Sequence, residues 1–327
     1  MQERKYLNRF MMIKAFKRGA LLLLLALSSC YRVPDTIEPK VDYAMQDQYL
    51  LRLPSPFSPL TEEEQQQDWA KEYRIALGFA HELDLYQAIT AFKRSSYLIP
   101  SANPSRKLEI EYEIFLCYYI GKKYAEVIYT FEHSGLCHVQ PSFPAFKDLL
   151  IILFDCYTQL KEEEKADKIL QYLQTQSPQT AEGLTLSKDL RKATISSIET
   201  FSTKPQYSYL QPFLSYYEIN KKSVQTTQLL NTFLPGAGYF YLGQRQSAIT
   251  AFLLNGLFIG ASYYFFHRGN IPAGVIFAGA EAGWYFGGIY GAGLEAKFYN
   301  ERLYEQYATP MMNERGLFPA FMIQYGF

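Results

Sequence analysis

LPGAGYFYLG, Leu234 to Gly243, opens the stretch that decides how this chain is built. Two apolar runs follow it, parted by the short polar break His267-Arg268-Gly269-Asn270. The first, Gln246 to Phe266, holds 21 residues and no charge. At about 1.5 Å rise per residue it reaches about 30 Å, the thickness of a bilayer core. The second, Ile271 to Leu294, has comparable reach and carries one charge, Glu281. Both runs predict helices, and together a membrane hairpin over 233–303. A buried soluble hairpin is the alternative reading of the same pattern.

Glycine repeats at helical spacing in both runs. Gly279, Gly283, Gly287 and Gly291 are four apart, and Gly256 and Gly260 repeat that spacing in the first run. Such stripes let helices approach backbone to backbone, which in lipid drives association within the hairpin or between copies. In a water-soluble helix each glycine costs about 1 kcal/mol relative to alanine, so their number implies a packing role. A leucine at Gly274, outside the four-residue series, is expected to do little. Glu281 lies about 200° around the helix from Gly279 and faces away from the start of that stripe. A carboxylate inside a membrane span is costly and is a functional candidate by default, here with Tyr285 and Gly288 at helical spacing.

Pro235, Gly236, Gly238, Tyr241 and Gly243 fall on the PGxGxxYxG pattern. With the hairpin after it, the region resembles the small bacterial two-helix membrane domains that bear this signature. The resemblance covers about seventy residues and implies topology more than activity. Locally, Pro235 and the glycines break a preceding helix and allow a tight turn into the membrane.

The amino terminus predicts export. Lys14, Lys17 and Arg18 form a positive region, and Ala20 to Leu27 an apolar segment too short to span. Leu27-Ser28-Ser29-Cys30 follows and resembles the bacterial lipobox closely. That resemblance implies a signal peptide over 1–29 and an acylated Cys30; an uncleaved signal anchor is the alternative. Residues 30–68, punctuated by Pro34, Pro39, Pro54, Pro56 and Pro59, read as an extended tether. Thr61 before Glu62-Glu63-Glu64 reads as a helix N-cap.

Internal repetition predicts the fold of 69–180. Ala88, Val127 and Ala166 are spaced by 39 (127 − 88 and 166 − 127), each four residues before Phe92, Phe131 or Leu170. Ala76, Phe115 and Phe154 hold matching places on the preceding helices. The pattern resembles tetratricopeptide repeats with connections longer than usual, although Phe115 and Val127 stand where that family has small residues. A lipidated cysteine before such repeats also resembles outer-membrane-assembly lipoproteins of the BamD type, over residues 27–178. The glycine hairpin has no counterpart in that family. Residues 181–232 read as a polar helical connector in two pieces, broken by Pro205 and Pro212, with 304–327 as a tail.

Chemistry-bearing motifs are few. Cys117 and Cys156 share a repeat position and read as small core residues. His133, Cys137 and His138 have ligand-like spacing, yet a structural zinc site needs four ligands and no second cluster completes one. No phosphate-cradling glycine loop with a lysine, GxSxG elbow or HExxH sequence occurs, so no catalytic residue, metal or cofactor is expected. With 32 basic against 32 acidic residues and no basic stripe, nucleic acid is not an expected partner.

The sequence thus predicts an all-α protein: tetratricopeptide-like repeats, then a glycine-rich membrane hairpin. The expected role is that of an envelope scaffold holding a protein or peptide partner in its repeat groove, in contact with membrane lipid. An assembly component of the BamD type and an intramembrane enzyme or transporter subunit using Glu281 are the alternatives. Topology carries a conflict. Lipidation at Cys30 puts the 267–270 turn inside, yet that turn holds only Arg268, while Arg245, Lys297 and Arg302 flank the other ends. Either membrane, and a hairpin that dips without crossing, therefore stay open.

Overall fold

Apolar residues at helical spacing, with proline and polar caps at the starts, fold the described residues into helices; no strand occurs among them. The computed structural model describes residues 33–43 and 52–327, so the expected signal segment and Cys30 lie outside the described residues. Two compact units emerge. One comprises 41–43, 52–210 and 308–327, the other 33–40 and 211–307.

The first unit begins with α1 (Glu62–Gln65), which Thr61 and Glu64 cap reciprocally. Four antiparallel helix pairs follow. They are α2 (Asp68–His81) with α3 (Leu85–Leu98), α4 (Pro104–Ile120) with α5 (Tyr124–Glu132), α6 (Phe146–Gln159) with α7 (Glu163–Gln176), and α8 (Pro178–Lys192) with α9 (Ile195–Ser202). Pro104 and Pro178 sit at helix starts, where the missing N–H costs nothing.

Every pair turns in the same way. A residue one or two places past the first helix is left-handed: Leu83, Lys122, Lys161 and Ala193 have φ of 58°, 54°, 63° and 51°. The next amide then donates back to the carbonyl five residues earlier, Asp84 to Phe79, Lys123 to Tyr118, Glu162 to Tyr157 and Thr194 to Asp189. This closure satisfies carbonyls that a helix end leaves unpaired. The first three left-handed residues are 39 apart (122 − 83 and 161 − 122).

Ala76, Ala88, Phe92, Phe115, Val127 and Ala166 are fully buried, so the large residues at the middle pair are accommodated there. Each buried large side chain contributes about 1.5–3 kcal/mol over its exposed state. Polar locks join successive pairs. Asp155 on α6, wholly buried, accepts from Tyr119 on α4 at 2.8 Å and from Arg191 on α8 at 2.6 Å. The connector expected from residue 181 onward thus begins inside this unit, and residues 181–232 form four α-helices rather than two pieces.

The stretch read as a free tether is pinned where it is described. Phe57 packs edge-on against Tyr112, and Arg106 donates to the carbonyls of Ser58 and Pro59 while bridging Glu64 and Glu109. Tyr43 packs against Phe318 and Phe321. Residues 317–327 are likewise no loose tail: Phe318, Ala320, Ile323 and Phe327 are buried, and the amides of Gln324 and Tyr325 donate to Asp148 at 2.8 and 2.9 Å. Proline density said nothing of what such a segment packs against.

The second unit contains α10 (Leu210–Asn220), α11 (Val224–Phe233), the short α12 (Ala237–Tyr241), α13 (Arg245–His267) and α14 (Ile271–Glu314). The first residue of α10 and the last seven of α14 group with the other unit. Val33, Val224, Leu242 and Ala296 form one cluster of its core, with Tyr241 and Leu294 packed against them. Lys40 and Glu38 hold the extended 33–40 segment to α14 through backbone amides donated to Glu305 at 2.5 Å and Glu301 at 2.9 Å.

Candidate functional site

The LPGAGYFYLG stretch builds the shoulder from which the hairpin rises. Gly236 has φ of +94°, and a Cβ there would stand 2.3 Å from the Ala248 carbonyl oxygen, so only glycine fits. Its amide donates to Asn231 Oδ1 at 2.8 Å. Gly238 lets α12 cross α11, since a Cβ would fall 2.5 Å from the Thr227 carbonyl oxygen. Gly243, with φ of +80°, makes the same left-handed turn as the helix pairs of the other unit, closed by Gln244 donating to the Tyr239 carbonyl. Pro235 joins α11 to this turn, and Lys222 sits 4.9 Å from the centre of the Tyr241 ring.

α13 is, among the described residues, the one helix long and apolar enough to cross a membrane, and only 11% of its most apolar window is buried. Ile249, Phe252, Leu253, Leu257, Ile259 and Tyr263 are all more than half exposed. The run beginning at Ile271 does not reach the same apolarity, contrary to expectation. It continues as a helix of 44 residues, but its many glycines add length without apolar side chains, and Glu281 and Tyr285 subtract further.

The glycine stripe does not pack as expected within this chain. Among the described residues, nothing comes within 4 Å of a Cβ placed at Gly256, Gly260, Gly279, Gly283 or Gly287. Gly291 alone of that series is a close approach, to the Tyr239 hydroxyl, at 2.7 Å. The tight contact near the hairpin turn is instead at Gly274, where a Cβ would meet the Phe266 ring at 2.6 Å. Phe265 stacks on Phe277 beside it, centroids 5.3 Å apart. Spacing alone identified a face of α14; it could not tell what lies opposite that face.

That open face borders a cleft of about 550 Å³ between α13, α14 and the Asn231–Tyr239 shoulder. Asn255 lines it, 4% exposed, donating to the Ala251 carbonyl at 2.6 Å while its Oδ1 has no hydrogen-bond partner. Gln246, Ser247 and Thr250 share its wall. Four uncharged polar residues of the first run, passed over in the sequence, therefore gather on one side of α13. Glu281 does not line this cleft; its Oε2 is buried and unpartnered, and Tyr285 donates to the Thr232 carbonyl rather than to it.

The helix-pair unit carries a different feature, a groove of about 710 Å³ on α3 and α4. Tyr86 and Tyr97 stand 82% and 89% exposed at its edges, eleven residues apart and so on one face of α3. Lys93 between them donates to the Tyr118 hydroxyl at 2.9 Å, and Arg94 pairs with Glu72 at 2.7 Å. No acidic side chain lines the groove. The signal was in the sequence as tyrosine and lysine on the outward side of a repeat helix, but outward tyrosines there are not distinguishable from ordinary surface.

The cysteines and histidines are otherwise engaged. Cys117 and Cys156 are buried free thiols, and burial pushes both pKa values up. His133 stacks on Tyr129, centroids 4.1 Å apart, and Cys137 is exposed with its thiol toward the Ser134 carbonyl. Among the described residues no group of three or more His, Cys, Asp or Glu side chains converges on a metal-sized space. Glu113 is fully buried beneath Tyr73 and Glu109 with neither oxygen hydrogen-bonded; burial, then the charge of Glu109, hold its pKa far above the usual carboxylate range. Comparison with protein families, with curated proteins and with solved structures finds no match to this chain.

Proposed function

We propose that this chain is a membrane-tethered, non-enzymatic scaffold of the bacterial envelope. Cys30 carries its lipid, the helix pairs of 69–180 are tetratricopeptide-like repeats that hold a protein partner, and the hairpin of α13 and α14 enters a membrane. The carrying observation is the groove of Tyr86, Lys93, Tyr97 and Tyr118. Exposed tyrosines with a cation between them suit an extended peptide with acidic and apolar residues, because aromatics bury large area at low entropic cost. The repeat reading draws on the common left-handed turn at 83, 122 and 161 and on the buried small residues Ala76, Ala88 and Ala166. Support for the membrane reading comes from the bare apolar surface of α13 and from exposed Leu229, Phe233, Leu234 and Phe240 on the shoulder below it.

A photo-crosslinking residue at position 97 in living cells tests the groove. It should trap a discrete partner that position 168, exposed on α7, does not trap. Tyr86→Ala with Lys93→Glu should reduce that product at least about tenfold without lowering the melting temperature, as hot-spot side chains on a surface do. Equal products at both positions, or no effect of the double substitution, would remove the groove as the docking site.

A further inference from the structure

We propose that the cleft beside Asn255 binds an uncharged, hydroxyl-rich headgroup of the kind a glycolipid carries. Asn255 lines this space midway along α13, 4% exposed, and its Oδ1 is buried without a hydrogen-bond partner. An unsatisfied buried acceptor is costly, so a turn of the Asn255 side chain that presents it to a hydrogen-bond-donating occupant gains what the protein alone forgoes. No lysine, arginine, aspartate or glutamate lines the cleft, so a charged occupant would lose hydration without compensation. Gln246, Ser247 and Thr250 offer donors and acceptors together, which matches hydroxyl groups that both give and take. Trp284 adds an aromatic wall, and bare Gly283 and Gly287 leave room for a ring against the α14 backbone. The volume of about 550 Å³ falls within the range of small-ligand clefts. Exposed Phe252 and Leu253 on the neighbouring faces of α13 give acyl chains a surface to lie along. The lipid source rests on the membrane reading of the hairpin; the headgroup chemistry does not, and a free sugar could supply it.

The test uses the full chain, purified in dodecylphosphocholine, with monogalactosyl diacylglycerol as probe and native mass spectrometry as readout. Saturable binding is expected, with phosphatidylcholine bound at least tenfold more weakly. Asn255→Leu removes the unpaired acceptor, and Gly287→Leu fills the cleft; each should weaken galactolipid binding tenfold or more. Gly260→Leu, outside the cleft, should leave it unchanged. Displacement of the lipid by free galactose assigns the site to the sugar, and no displacement assigns it to the whole lipid; both uphold the headgroup chemistry. Carbonate extraction of the delipidated chain from membranes reports separately on the membrane reading. Binding no stronger than that of phosphatidylcholine, or binding indifferent to both cleft substitutions, overturns the proposal. So does a cross-linked dimer that Asn255→Leu abolishes while no galactolipid binds, since a second copy would then be the occupant.

Discussion

Asp155 is bonded through both of its oxygens, and each partner comes from a different helix pair. Its charge is tolerable in a dry interior only because Arg191 and Tyr119 meet it there. Asp155→Ala should therefore cost about 3–5 kcal/mol, since it strands the Arg191 guanidinium, which is itself 12% exposed. Urea denaturation monitored by helical signal measures this, and Asp155→Ala combined with Arg191→Met should recover part of the loss. Additive losses in the double variant would mean the pair does not act as one. Residues 155 and 191 carried no sign of each other in the sequence. Their separation of 36 is not the 39-residue repeat and crosses two interhelical turns, and one lies in a repeat while the other sat in an expected connector. Ala88 and Ala166, by contrast, could be assigned to the core, because a small residue in an apolar stripe has few other uses.

Elements were the most readable scale, through punctuation more than through periodicity. Thr61 and the Pro235–Gly243 motif each mark a boundary that the backbone obeys. What the pattern could not supply is the neighbour of a given face, and the hairpin shows this best. Gly274→Leu should destabilise the hairpin by about 1–3 kcal/mol, because the new side chain must displace the Phe266 ring. Gly283→Leu, which meets open space, should stay within about 0.5 kcal/mol on the same thermal melt in detergent. The opposite ranking would restore the four-residue stripe as the packing seam. The segment after α14 offers a pH test. Burial pushes the Asp148 carboxyl up to about 6, the two amides of Gln324 and Tyr325 and the charge of Lys147 pulling the other way. Because the folded pKa is raised, its contribution to stability is full below about pH 4 and lost as pH rises through about 6. Wild type should lose more stability than Asp148→Asn between pH 5 and pH 7. Parallel profiles for the two proteins would dismiss Asp148 as the source.

At the scale of the whole molecule, the proposed localisation rests on a residue outside the described region. Cys30→Ser should abolish acylation and leave the precursor uncleaved, because the thiol is the acceptor in the lipobox reading. Intact-mass measurement of the membrane fraction decides it: a processed chain without lipid would end the lipoprotein assignment. The all-helical class followed from composition and spacing, whereas the partition into units did not. Contiguous domains were expected, but 33–40 belongs with 211–307, and 308–327 with 41–210. Long-range pairing of this kind leaves no local mark on the chain, since an extended strap and a helix end look the same whichever surface they meet.

That interleaving orders biosynthesis. Residues 308–327 leave the ribosome after both helices of the hairpin, yet they supply the Phe318 and Ile323 that close the helix-pair unit and the amides that cover Asp148. The earlier helices must therefore wait, with that surface uncovered, until both of those helices have been translated. Maturation of the helix-pair unit is tied to completion of the hairpin, so a chain that stalls there leaves that unit open to proteases.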